Sequence, residues 1–252
     1  TEHFGKPENA VEKEYQNLAE MLGRQWKNAR QEARCQISEA NRYYIRWSHQ
    51  IKTPIAALRL LLEEEEPDRA AMEGEIYRIE QYVEFALQYQ RLEGGYKDLV
   101  FAHYSLEMIV KKALKKTGVL FRQTRLALEL GDLQTDVLTD EKWLIFVLEQ
   151  VLTNAVKYTQ KGKISIYLDS EKEKTLVVED TGMGIRPEDL PRIFEWGYTG
   201  YNGRIKNRAT GIGLALCRQT TEMLGHRIYA SSELGKGTRI YLDLAVDPVL
   251  DY

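Results

Sequence analysis

Apolar residues in the first third of the chain recur at threes and fours. From Val11 the positions Tyr15, Leu18, Leu22, Ala29, Ala33 and Ile37 keep this rhythm, and Tyr44, Trp47, Ile51, Ile55, Leu58 and Leu62 carry it on without a turn cluster. The spacing predicts a single buried stripe on one helix, or two in line, of about 50 residues, beyond the usual globular length. A stripe this long with polar flanks points to a coiled-coil seam rather than packing within one chain. The run from Glu63 to Asp68 ends the helix, since its four Glu carboxylates oppose the negative end of the dipole and Pro67 cannot continue the ladder. A second helix follows, with Met72, Ile76, Ile79, Val83 and Ala86 on one face. An antiparallel hairpin of this kind cannot cover its own apolar face. A homodimer is therefore expected, two hairpins forming a four-helix bundle centred on residues 40–93, and Gly94-Gly95 marks a change of character.

Beyond residue 99 short apolar runs alternate with helical patterns. Strands are predicted near residues 99–104, 125–130, 136–138, 163–168, 174–179, 226–231 and 238–244. Helices are predicted at 105–122, with Ser105 as N-cap and Met108, Ile109 and Ala113 on one face, at 140–158, and at 211–224, closed by Gly225. Strands grouped around three helices predict an α+β sandwich with helices on one face of a mixed sheet. The resulting division is a signalling helix at 1–38, a helical hairpin at 39–94, a linker at 95–99, a second domain at 100–246 and a tail at 247–252.

Composition narrows the function classes. The 252 residues carry 35 basic and 38 acidic side chains, and no basic run is interleaved with aromatics, so nucleic acid is not an expected partner. Cys35 and Cys217 stand far apart without metal-ligand spacing, which fits a reducing, cytosolic setting. No apolar run approaches the roughly 18 residues of a membrane span. The chain begins at Thr1 and is read as a piece of a longer protein.

Several residues carry candidate chemistry. His49 lies two residues from both Trp47 and Ile51, off the middle of the seam, and Pro54 just after it should kink the helix at a local cost of roughly 3 kcal/mol. An isolated helical histidine is ordinarily a surface residue without chemistry, so the rest of the chain has to decide. Asn154, Lys157 and Tyr158 share a helix face at i, i+3 and i+4, where an amide oxygen can ligate Mg²⁺ and an ammonium can meet phosphate; at a helix end such residues are usually mere solubilisers. Asp180, Gly182, Gly184 and Ile185 follow an apolar strand, offering a carboxylate for an exocyclic amine and glycines where a flat ligand nears the backbone, although a DxG is often only a turn. Thr210, Gly211, Gly213 and Leu214 open a helix, the ordinary anion site of a helix N-terminus. Neither loop is a dinucleotide fingerprint, since Pro187 and Leu216 stand where a third glycine would be needed. The glycine-rich stretch 194–208, with Arg204, Lys206 and Arg208, reads as a mobile lid.

Taken in order, His49 with Pro54 five residues on, Asn154 with Lys157-Tyr158, Asp180-Thr-Gly-Met-Gly, a Phe194-led lid, Thr210-Gly-Ile-Gly-Leu214 and Gly235-Lys-Gly-Thr238 resemble the sensor histidine kinases of two-component systems, over about residues 40–245. The wording HQIKTP, GYTGYNGR and TGIGLAL is most similar to the intramembrane-sensing kinases of antimicrobial-peptide, bacitracin-type resistance systems. The resemblance implies a dimeric four-helix-bundle phosphotransfer domain followed by an α/β-sandwich, GHKL-type ATP-binding domain. It implies ATP and Mg²⁺ as cofactors, His49 as phosphoacceptor, Gln50 and Thr53 beside it in the chemistry, and Asn154 on the metal. Lys157, Tyr158, Asp180, Gly182, Gly184, Ile185, Arg204, Thr210, Gly211, Gly213, Leu214 and Thr238 are implied as nucleotide contacts. Partners implied are a response regulator receiver domain and an ABC transporter, for a cytoplasmic fragment of a bacterial plasma membrane protein.

Two positions depart from the pattern. Gln50 replaces an acidic residue; its amide can accept the Nδ1–H bond and hold the tautomer but cannot take the proton, so slowed chemistry is expected. Gln150 stands one turn before Asn154, where the family often has another Asn. Two other readings stay open: a nucleotide-binding scaffold without kinase activity, and a GHKL ATPase of another type, whose general-base Glu would be expected near Gln150. Glu149 is adjacent, but about 100° away around the helix.

Overall fold

The computed structural model describes residues 9–93, 99–201 and 211–245. The chain divides into two compact units, Thr1–His49 and Gln50–Tyr252. Helix α1 spans Ala10–Leu62, 53 residues without a break. Its first turn is closed by Asn9, whose Oδ1 accepts the Glu12 backbone N–H at 2.8 Å. In the first unit the stripe of Val11, Tyr15, Leu18 and Leu22 is exposed, at 51–71%.

In the second unit the helix continues through a buried Pro54. The acidic run forms the turn, and its last member also begins the next helix. Asp68 Oδ1 accepts the N–H groups of Ala70 and Ala71 at 2.9 and 3.1 Å and so starts helix α2, Arg69–Glu93. The face that α2 buries is not the apolar stripe. Ile76 and Val83 are 44% and 42% exposed, whereas Gly74, Tyr77, Gln88 and Tyr89 are covered. Gly94-Gly95 lies outside the described residues.

Seven strands follow: β1 Ala102–Ser105, β2 Ala127–Leu130, β3 Asp136–Thr139, β4 Lys163–Leu168, β5 Thr175–Asp180, β6 Arg227–Glu233 and β7 Gly237–Asp243. With them are α3 Leu106–Thr124, α4 Glu141–Tyr158 and α5 Gly213–Met223. Five strands form one mixed sheet, β2-β4-β5-β7-β6, in which only β2 and β4 pair in parallel. β1 and β3 stand apart as an antiparallel pair, a division that alternation along each strand cannot reveal. Ser105 caps α3, accepting from Met108 N at 3.5 Å, but Met108 is 50% exposed; the covered face is Leu106, Ile109, Val110, Ala113 and Thr117. Methionine at the third helical position lies on the far side of the stripe those residues make.

The core is centred on α4, buried from Trp143 to Leu152, with α3 and α5 beside it and β5 beneath. The outer face of the sheet carries cross-strand pairs instead. Arg239 and Tyr167 both bond to Glu179, and the rings of Tyr229 and Tyr241 stack at 4.7 Å.

Candidate nucleotide site

The site grows from the two ends of α4. Asp140 caps the start, its Oδ1 accepting from Lys142 and Trp143 and its Oδ2 from Val100 N at 2.9 Å. Ten consecutive buried residues from Trp143 to Leu152 then pin the helix, so its last turn is aimed rather than free. That turn presents Asn154, Lys157 and Tyr158, all half-buried, to one cavity. The Lys157 ammonium lies 5.1 Å from the Tyr158 ring centroid, and burial pushes the Tyr158 phenol pKa upward.

Asp180 ends the buried strand β5, opposite Thr238 of β7 in the register. Its Oδ1 accepts the Gly182 N–H at 2.8 Å and the Thr159 hydroxyl at 3.4 Å. Burial raises the carboxyl pKa, and these donors together with the Thr238 N–H oppose the rise. Thr238 Oγ1 lies 2.9 Å from Ser232 Oγ, which accepts the Ile185 N–H. Gly184, at φ +69°, runs so close to the Glu233 carbonyl that a Cβ would overlap it. The Gly211 carbonyl, at a residue also at φ +69°, accepts the Gly197 N–H at 2.9 Å.

The cavity measures about 690 Å³. It is lined by Asn154, Lys157, Tyr158, Asp180, Gly184, Ile185, Gly211, Gly213, Leu214 and Thr238, and also by Gln50 and Thr53. Gly182 does not line it but holds Asp180 from behind. His49 is exposed on α1 and belongs to the first unit. Arg204 and Thr210, with most of the expected lid, lie outside the described residues.

The helical hairpin supplies a wall that the sequence did not disclose. Tyr82 donates to Gln50 Oε1 at 2.9 Å, Gln150 Nε2 donates to Gln81 Oε1 at 2.8 Å, and the Tyr77 hydroxyl is 3.4 Å from Thr153 Oγ1. Phe85 meets Phe146 edge-on at 6.1 Å. Tyr77, Gln81, Tyr82 and Phe85 share an α2 face by threes and fours, but their mixed polarity hides the pattern. At the lid base Asp189 accepts from the Tyr198 hydroxyl at 2.5 Å and from Tyr201 N at 3.0 Å. Arg186 and Arg192 lie over the rings of Tyr201 and Tyr198.

Glu149 and Gln150 part company. Glu149 is buried with its Oε1 2.6 Å from Lys116 Nζ and does not line the cavity, while Gln150 does. Burial is the largest influence on Glu149 and raises its pKa; Lys116 and Gln81 counter it and Glu84 adds to it. The described residues contain no cluster of three His, Cys, Asp or Glu side chains for a metal. A single amide, Asn154, suits Mg²⁺ arriving with phosphate oxygens and water, and Gly184 and Gly211 let the loop backbones pack closely beside the cavity.

A mixed sheet under three helices, with a carboxylate at a strand end and two glycine loops around one cavity, defines an ATP-binding domain of the GHKL class, and residues 139–248 match the family of histidine kinase-, DNA gyrase B- and HSP90-like ATPases. The chain is 38% identical to the sensor protein BceS of Halalkalibacterium halodurans, over 78% of this chain and 60% of that protein. It is 30% identical to the sensor protein kinase GraS of Staphylococcus aureus, over 95% of this chain and 74% of GraS. The chain therefore belongs to the sensor histidine kinases of two-component systems. It spans about three-fifths of the length of BceS and of the Bacillus subtilis sensor histidine kinase YxdK, 34% identical over 79% of this chain and 62% of YxdK. The fold also matches the Acinetobacter baumannii histidine kinase AdeS at a TM-score of 0.54 and 24% identity, covering 78% of this chain and 98% of that one. No helix among the described residues is long and apolar enough to cross a membrane.

Proposed function

We propose that this chain phosphorylates its own His49 with ATP and passes the phosphoryl group to an aspartate of a response regulator. One observation carries the reading: a single cavity is lined by the helix-end group Asn154, Lys157 and Tyr158, by Asp180 and Thr238, and by Gln50 and Thr53 of the box that contains His49. Asp180 would accept from the adenine amine, Thr238 would flank the ring, and Gly182 keeps the carboxylate aimed. Tyr158, Gly184, Ile185, Gly211, Gly213 and Leu214 would surround the nucleotide, with Arg204 and Thr210 from the lid. Asn154 would hold Mg²⁺, which when bound neutralises phosphate charge, and Lys157 would add a cation there.

The His49 Nε2 lone pair attacks the γ-phosphorus; the N–P bond forms as the bond to the ADP oxygen breaks, and ADP leaves with that electron pair. The Nδ1 proton, now on a cationic ring, is shed to solvent. Gln50 holds the tautomer with its amide and takes no proton. Thr53 would orient water in the reverse reaction, phosphatase activity on the regulator.

On this reading the chain consists of a signalling helix at 1–38, a phosphotransfer hairpin at 39–94 joined through 95–99, an ATP-binding domain at 100–246 and a tail at 247–252. A homodimer would form through the hairpins, and the chain would be the cytoplasmic part of a membrane sensor working with an ABC transporter. The rival GHKL reading lacks its base, because Glu149 is tied to Lys116 outside the cavity. Incubation with γ-labelled ATP should give acid-labile, base-stable label that His49→Ala abolishes while ATP binding persists. Label elsewhere would refute the assignment; ATP binding with no label would leave the scaffold.

A further inference from the structure

Among the described residues lining the cavity there are two cations, Lys157 at the end of α4 and Arg78 on helix α2. Arg78 is absent from every motif the chain displays. Its neighbours fix where it stands. Gln81, three residues on, is bonded to Gln150; Tyr82, four residues on, is bonded to Gln50; Tyr77, the residue before, meets Thr153 beside Asn154. Arg78 is thus carried between α4 and α1, at the hairpin side of the cavity, while Asp180 and Thr238 stand at the sheet side.

We propose that Arg78 binds the terminal phosphate of ATP, supplied to the cavity by the helical hairpin of the same chain. The inference rests on the reading of Asp180 as the adenine acceptor, which directs the phosphate tail away from the sheet. Arg78 Nη1 is 2.6 Å from Glu75 Oε1, and the two side chains are 42% and 16% exposed. That pair uses one edge of a planar fork with five N–H donors and leaves the others to be directed into the cavity. A half-exposed i, i+3 pair contributes little, and a terminal phosphate bears more charge than one carboxylate, so the nucleotide competes well for the guanidinium. Arg78 reaches the cavity from α2, whereas Lys157 shares α4 with Asn154, so the two cations meet a bound nucleotide from different elements.

Titration of the full chain with Mg·ATP and Mg·ADP separates this from a packing role. Arg78→Gln should weaken ATP by about tenfold or more and change ADP by less than about twofold, with Arg78→Lys recovering part of the ATP loss. Equal losses for both nucleotides, or an unchanged ATP affinity, would overturn the proposal. The titration does not depend on label at His49. A chain with an Arg78-dependent preference for ATP that never labels His49 would support this inference while refuting phosphotransfer.

Discussion

Glu149 and Gln150 are consecutive in α4 yet meet opposite surroundings, one sealed against Lys116 and the other open to the nucleotide cavity. A carboxyl whose folded pKa is raised above its unfolded value, about 4.3 for Glu, contributes stability that is present below that value and lost as pH rises through the folded pKa. Burial raises Glu149 in this way despite Lys116. Glu149→Gln should therefore gain on the wild type as pH climbs from about 4.5 to 8, read as the difference in thermal midpoints. A wild type that gains on the variant over that range would mean the Lys116 pair outweighs desolvation. Asp180 obeys the same sign, so its occupancy as a carboxylate is helped by the Gly182 and Thr238 N–H groups that oppose burial.

At the scale of elements, the meeting of β5 with β7 sets the sheet side of the site. Gly237 has φ +128°, and a Cβ there would overlap the Asp180 carbonyl oxygen. Gly237→Ala should destabilise the fold by about 1–3 kcal/mol from backbone strain alone and weaken nucleotide binding by displacing Asp180. Urea unfolding and ATP titration check the two effects together. Much of this layer was legible beforehand. Lys163–Leu168 alternates at period two, Ser105 starts its helix as a cap residue should, and the glycine loops announce close backbone approach. The separate β1–β3 pair was not, because pairing partners are chosen by tertiary packing. Nor was the working face of α2: Gln81 finds Gln150 across 69 positions, a bond with no local signature. Its apolar stripe was visible, but hydrophobic spacing reports which face is buried in the finished assembly, not which one packs within the chain.

The open apolar stripe of the hairpin bears on assembly. Ile55 and Leu62, seven apart on α1, and Ile76 and Val83, seven apart on α2, stay 37–58% exposed. Heptad spacing on both helices of a hairpin suits a second hairpin of the same kind. Replacing Ile76 and Val83 together by Glu should turn a dimer into a monomer in sedimentation equilibrium, with ATP affinity retained. Unchanged mass would move the dimer contact elsewhere.

Tyr77 and Gln81 hold Thr153 and Gln150, both within the turn of α4 that ends at Asn154. If breaking these bonds alters ATP affinity by some factor, reciprocity requires ATP to alter the grip of α2 by the same factor. ATP occupancy of the cavity and the packing of α2 against α4 then rise and fall together.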